Sequence, residues 1–204
     1  DDEARYARFQ RLQDRMESVW NSTKADLDDE SVVVVPSVTI SRAVAGSGSG
    51  SMTQAFEERF LFLLLLLRQP RLRMVYVTST PVDPRIIEYY LALLPGVIPS
   101  HALARLSMVS VGDASPRPLS EKLLERPRLL AKIAALVPNR EHSHLIPYNT
   151  TELERELAVR LAIGNKYVAL NGSPCASICG PSGPPYWAEN FTSGSAKWFN
   201  SVSV

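Results

Sequence analysis

Histidine and cysteine are scarce in this chain, and their scarcity narrows the chemistry open to it. Three histidines and two cysteines occur in 204 residues. Cys175 and Cys179 form a C-x3-C pair with no second pair to complete a zinc cage, and two cysteines do not decide a redox compartment. His142 and His144 are the one histidine cluster. Two apart on a strand they share a face, but no Asp, Cys or third His is placed to join them, so they read as the solvated start of a strand. Charge of one sign is also lacking: 22 Lys and Arg against 21 Asp and Glu leave +1. Such a balance carries no electrostatic footprint for nucleic acid or an acidic membrane. Long hydrophobic runs are absent too. The longest, Phe60–Leu67, is eight residues, where a bilayer span takes about 20; it reads as part of a buried helix. The chain opens on Asp1 without Met, and no basic segment followed by an apolar one suggests a signal peptide. A cytoplasmic fragment or processed product is therefore expected. Without a secretory signal, the sequons at Asn21, Asn149, Asn171 and Asn190 read as chance.

What is present is a repeated pattern. Four short apolar runs, at 32–36, 73–78, 106–111 and 144–148, each end in small polar residues and lead into a helical stretch. Nearly continuous apolar strands alternating with helices predict an α/β fold. The expected form is a Rossmann-like parallel sheet of at least four strands flanked by helices, with an irregular C-terminal tail. An amphipathic helix over 2–20 precedes the strands, with Tyr6, Phe9, Leu12, Met16 and Val19 on one side. Thr53 is a cap for the helix that carries the leucine run, and Pro84 opens the next helix. Ser100 caps a short turn through Arg105. Pro127 predicts a kink or two helices within 119–133. Asn149 or Thr150 caps a helix over 151–162, with Glu152 and Glu154 in its first turn.

From Gly164 onward composition changes. The last 41 residues hold three charges, seven Ser, five Gly and four Pro, with no helical or strand period. The expected division is therefore 1–163 as the folded domain and 164–204 as a low-complexity, disordered tail.

In a parallel α/β sheet the ligand crevice lies beyond the carboxyl ends of the strands. The side chains expected there are Ser37, Thr78, Ser79, Thr80, Asp113, Ser115, Asn149 and Thr150. Their short hydroxyl, amide and carboxyl groups can bond a polar ligand or cap helices. No catalytic residue and no metal ligand stand out among them. Gly46, Gly48 and Gly50 lie between the first strand and its helix, where a phosphate loop would be. They lack the Gly-Lys-Ser/Thr of a Walker loop and the Gly-x-Gly-x-x-Gly spacing. A flexible segment is the first reading there and a phosphate cradle the second. Phe9-Gln10 opens like a calmodulin-binding IQ motif, but Asp14 stands where that motif needs a base.

Several segments together resemble one family. They are Val33-Val34-Val35-Pro36-Ser37, Glu57-Glu58-Arg59-Phe60-Leu61, Val75-Tyr76-Val77-Thr78-Ser79, the run Ile86 to Gly96 (IIEYYLALLPG), Ser115-Pro116-Arg117-Pro118-Leu119, Glu125-Arg126-Pro127-Arg128-Leu129 and Asn149-Thr150-Thr151-Glu152-Leu153-Glu154. In this order, over roughly residues 30–162, they are similar to the pre-ATP-grasp domain of the ATP-grasp carboxylate–amine ligases. That family includes bacterial peptide ligases and a ligase-like region of an animal IQ-motif-containing protein. The resemblance implies a Rossmann-like first domain leading into an ATP-grasp module. In a complete member that module binds ATP and magnesium and activates a carboxylate as an acyl phosphate for attack by an amine. Here the match ends within Leu161-Ala162-Ile163-Gly164, and neither the Asp-Pro turn nor the Gly-Thr-Lys of the family follows. A changed reading frame or alternative exon after about residue 162 is one account of the break. The resulting expectation is a ligase-type domain that binds no cofactor alone and is inactive alone. Its partners would be a small polar ligand or an ATP-grasp module, with no nucleic acid and no membrane. The rival expectations are a stand-alone Rossmann-like module for a nucleotide or small polar metabolite, and a non-catalytic interaction scaffold.

Overall fold

The computed structural model describes residues 2–16, 30–38 and 50–165. Helix α1 spans Asp2–Asp14 and is followed by strand β1, Ser31–Val35. Helix α2, Gly50–Arg59, runs straight into a 3-10 segment, Phe60–Arg68. Then come β2 (Arg73–Thr78), α3 (Pro84–Ala92), α4 (Pro99–Leu103) and β3 (Leu106–Ser110). Helices α5 (Leu119–Leu124) and α6 (Pro127–Ala135) lead to β4 (Ser143–Pro147), α7 (Glu152–Leu161) and the two-residue β5, Gly164–Asn165.

The strands form one parallel sheet in the order β3-β2-β1-β4-β5. Val33 of β1 sits opposite Val75 on one side and Leu145 on the other. Alternation along the strands divides the core in two. Val33, Val35, Val75, Val77, Val109 and Leu145 face Phe9 of α1, Leu119 and Leu123 of α5, Leu130 and Ile133 of α6, and Leu157 and Leu161 of α7. Val32, Val34, Met74, Tyr76 and Ile146 face Phe60, Leu61, Leu64 and Leu67 of the 3-10 segment and Ile87 and Leu91 of α3. Coverage on both faces explains why β1 reads as unbroken valine. Each fully buried valine contributes about 1.5–3 kcal/mol relative to exposure.

The α/β architecture agrees with the sequence expectation, and most departures are local. Among the leucines the buried ones are Leu61, Leu64 and Leu67, a period of three, while Phe62 and Leu65 are exposed. A run apolar at every position fits any helical period, and here the 3-10 form, with three residues per turn, takes it rather than an α-helix. Arg105 closes the end of this segment, donating to the carbonyls of Leu67, Gln69 and Leu72. Thr53 lies inside α2, not before it. Ile98 precedes α4 and Pro99 is its first residue, so Ser100 is not the cap and the helix stops at Leu103. Pro127 does divide the stretch into two helices and opens α6. Helix α7 is capped by Thr151, not by Asn149 or Thr150. Thr151 Oγ1 accepts from Leu153 N, and the Glu154 carboxylate accepts from Thr151 N at 2.8 Å. Thr-x-x-Glu is the pairing that satisfies two free amides at once, which decides among three adjacent polar residues.

Two further expectations are corrected. His144 is buried, 2% exposed, because β4 lies between β1 and β5 and is covered on both faces; the strand start is not solvated there. The ladder also continues past residue 163, since Gly164 pairs with His144 and Asn165 with Leu145. A Cβ at Gly164 would collide with Met16 Sδ and lie 3.1 Å from the Leu12 carbonyl oxygen, so glycine is what lets α1 pack on β5. Val19 and the expected helix beyond residue 16, Gly46 and Gly48 of the glycine-rich segment, and the tail from residue 166 lie outside the described residues.

Candidate functional site

All-parallel pairing brings the carboxyl ends of β1 to β4 to one edge, so the residues expected at the crevice share that edge. They separate into two groups there. Ser79, just past β2, is the centre of the first. Its backbone N–H donates to Glu57 Oε2 at 2.7 Å and its hydroxyl donates to Glu57 Oε1 at 2.6 Å. The same hydroxyl oxygen accepts from Lys122 Nζ at 2.9 Å. Lys122 also donates to the carbonyls of Asp113 and Ser115, at 2.9 and 2.6 Å. Three acceptors fill the three donors of an ammonium group. Glu57 and Lys122 are both fully buried. Tyr76 donates to the Glu57 carbonyl at 2.7 Å and fixes the same turn of α2.

The electrostatics follow from this burial. Desolvation pushes the Glu57 carboxyl above its usual range, against the hydrogen bonds from Ser79 and the field of Lys122. Desolvation likewise pulls the Lys122 ammonium down, opposed by Asp113 and then Glu57. The two charges meet through the Ser79 hydroxyl, not directly. Asp113 closes the rim. Its Oδ1 accepts from Ser115 N at 2.9 Å, and its Oδ2 accepts from Arg126 at 3.0 Å and Arg117 at 3.3 Å. Hydrogen bonding from Ser115, then Arg126, holds its carboxyl well below the ordinary carboxylate range. Thr78 Oγ1 donates to the Thr80 carbonyl at 2.7 Å. The Thr80 hydroxyl itself is buried, with no partner among the described residues. Ser37, beyond β1, is fully buried and accepts from Ser120 N in the first turn of α5.

The second group lies between β1 and β4. Strand order reverses here: β2 and β3 lie to one side of β1, β4 and β5 to the other. Tyr148, Asn149 and Thr150 follow β4 directly, and α2 follows β1. Phe56 of α2 meets Tyr148 edge to face with ring centroids 4.7 Å apart, and Phe60 stands 5.9 Å from the same ring. Phe56 and Tyr148 are half-buried, whereas Phe60 is buried.

The buried pair escaped the sequence reading, although a signal was there. Glu57 stands at the head of the stripe Phe60, Leu61, Leu64, and Lys122 stands between Leu119 and Leu123; each is a charge on an apolar face. Counted from the expected cap at Thr53, Glu57 passes for a favourable first-turn acid and so hides itself. Among the described residues no group of three His, Cys, Asp or Glu is placed to hold a metal ion, and no helix is long and apolar enough to cross a membrane. No protein-family profile, curated protein or solved structure matches the chain.

Proposed function

We propose that this chain is the Rossmann-like first domain of an ATP-grasp carboxylate–amine ligase-like protein, and that it performs no ligation alone. The observation that carries this reading is where four of the seven family-like segments fall on the fold. Val33–Ser37 and Val75–Ser79 end β1 and β2, Ser115–Leu119 leads into α5, and Asn149–Glu154 joins β4 to α7. All of these lie along the carboxyl edge of one parallel sheet. In such a protein this edge faces the ligand and the ATP-grasp module supplies the ATP and magnesium site. Reading the gene and its transcript beyond the codon for Gly164 tests the assignment. An ATP-grasp module encoded downstream supports it, and a gene without one overturns it. ADP release coupled to amide formation by the purified chain would overturn the claim of inactivity.

The second reading is a stand-alone module for a nucleotide or small polar metabolite. The Thr80 hydroxyl at the carboxyl edge, buried and without a partner among the described residues, favours it, since buried polar groups are seldom left unpaired without a reason. A ligand-shift melting screen tests it: stabilisation by such a compound supports it, and none across nucleotides and amino acids sinks it.

A further inference from the structure

We propose that two copies of this chain associate through their β3 edges, antiparallel, about a two-fold axis at Met108. The inference is independent of both readings of the function. It starts from the hydrogen-bond ladder. Met74 N donates to the Arg105 carbonyl and Val111 N to the Thr78 carbonyl. With Met74 opposite Leu106 and Thr78 opposite Ser110, this turns the N–H and C=O groups of Ser107 and Val109 toward β2. Bonding residues alternate along a strand, so the backbone groups of Leu106, Met108 and Ser110 point out of the sheet edge. They meet no hydrogen-bond partner among the described residues. At the other end of the sheet β5 is two residues long and offers no comparable edge. Natural proteins blunt open edges with lysine, proline, a bulge or a covering element. Leu106–Val111 holds no charge and no proline. Leu106, Met108 and Ser110 are half-buried, whereas all of β1 is buried. The flanking charges are engaged elsewhere: Arg105 on the carbonyls of Leu67, Gln69 and Leu72, and Asp113 with Arg117 and Arg126. Helix α4 packs on β3, and Ile98 and Leu103 at its two ends are 58% and 42% exposed, so apolar surface flanks the edge. A second copy fits these features. Directly opposed residues of an antiparallel pair exchange both hydrogen bonds at every second position. With Met108 opposite itself, Leu106 of each copy falls opposite Ser110 of the other, so all three outward-facing residues bond at once. Val109 falls opposite Ser107, and no like charges oppose across the axis. A net charge of +1 leaves the copies with little repulsion. The product is one continuous sheet made of two five-stranded halves, an isologous interface that closes on itself.

The test is sedimentation velocity on the full chain from about 1 to about 200 µM, a range that brackets the affinity of small, transient interfaces. Residue-resolved hydrogen–deuterium exchange is measured at both ends of that range. The dimer fraction should rise with concentration and stop at two copies. Amide exchange at Leu106, Met108 and Ser110 should slow several-fold at the high concentration. Ser107 and Val109, already bonded to β2, should stay protected throughout. Ser110→Pro removes a donor that β2 does not use, as proline is tolerated on an edge strand, and should raise the dimer Kd about tenfold or more. Melting curves show whether this variant is folded, and the wild-type exchange pattern decides by itself if it is not. A chain that stays monomeric at every concentration would overturn the inference and leave the edge to a different partner. It would equally be overturned by dimers that form without slowing exchange at Leu106, Met108 and Ser110, by oligomers that grow past two copies, or by a folded Ser110→Pro variant that dimerises undiminished.

Discussion

Replacing Lys122 by Met leaves a buried site with three acceptors and no donor: the Ser79 hydroxyl and the carbonyls of Asp113 and Ser115. Each hydrogen bond from a charged donor is worth about 1.5–3 kcal/mol net. Against that loss stands the desolvation of an ammonium group, which the variant no longer has to bear. Breaking a buried charged pair by removing one partner costs about 3–5 kcal/mol, and Lys122→Met is expected in that range. For a domain of this size it lowers the melting temperature by about 10 °C. Glu57→Gln is milder, at about 1–3 kcal/mol, because the amide still accepts from Ser79 N and Asp113 still faces the lysine. The double variant is the sharper measurement. Once Lys122 is gone, ionised Glu57 is a buried charge without its counter-charge, so removing it costs less than it does in the wild type. The double variant should therefore be more stable than the sum of the singles predicts, by about 1–2 kcal/mol. Urea unfolding of all four proteins at one pH gives the cycle. A Lys122→Met cost under about 1 kcal/mol, or additivity within about 0.5 kcal/mol, would refute the claim that these side chains form one buried unit.

Gly164→Ala should destabilise by about 1–3 kcal/mol through overpacking, since Met16 can shift but the Leu12 carbonyl belongs to the α1 backbone; thermal melting checks it. Thr151→Ala removes the cap of α7 and should cost about 1 kcal/mol, whereas Asn149→Ala should leave the helix content seen by circular dichroism unchanged. Ala162 sits at φ 57°, in the left-handed region that a Cβ disfavours, so Ala162→Gly should stabilise slightly, by about 0.5–1 kcal/mol, read from urea midpoints. Asp113, with its carboxyl pKa depressed in the fold, gives stability that is present above the ordinary carboxylate pKa and lost as pH falls through the depressed one. Glu57 has the opposite sign: its raised pKa makes its contribution fall as pH rises from the ordinary glutamate value through the raised one. Unfolding at stepped pH should show a flatter acid limb in Asp113→Asn and, in Glu57→Gln, a smaller fall in stability as pH rises above the ordinary glutamate value; unchanged profiles contradict both assignments.

The parts of this fold that are legible in sequence are those set by burial on two sides. Val32 to Val35 permit little except a central strand, and Pro127 permits only a kink or a helix boundary, of which the fold takes the second. Less legible were choices among equivalent neighbours. Asn149, Thr150 and Thr151 all suit a cap, and what selects Thr151 is the partner three residues on together with the inward facing of Leu157 and Leu161. The leucine run carries no period of its own, so its 3-10 form comes from tertiary packing and from Arg105, far along the chain. Strand β5 is too short to have a pattern at all. At the carboxyl edge, Ser37, Ser79 and Asp113 follow strand ends that the pattern marks, but their partners Ser120, Glu57 and Lys122 arrive from helices, and no local pattern announces such pairings.

The contact between Gly164 and the Leu12 turn also sets an order of events. The seat of helix α1 includes a strand roughly 150 residues downstream, a separation typical of slow, non-local closure. A ribosome needs on the order of 10–30 s to produce that length of chain. Throughout that interval Phe9 and Leu12, both buried in the finished fold, have no β5 to close over them. Helix α1, made well before β5, is thus locked in place only late, and a chain interrupted before Gly164 would present those two side chains to water or to whatever apolar surface is nearest.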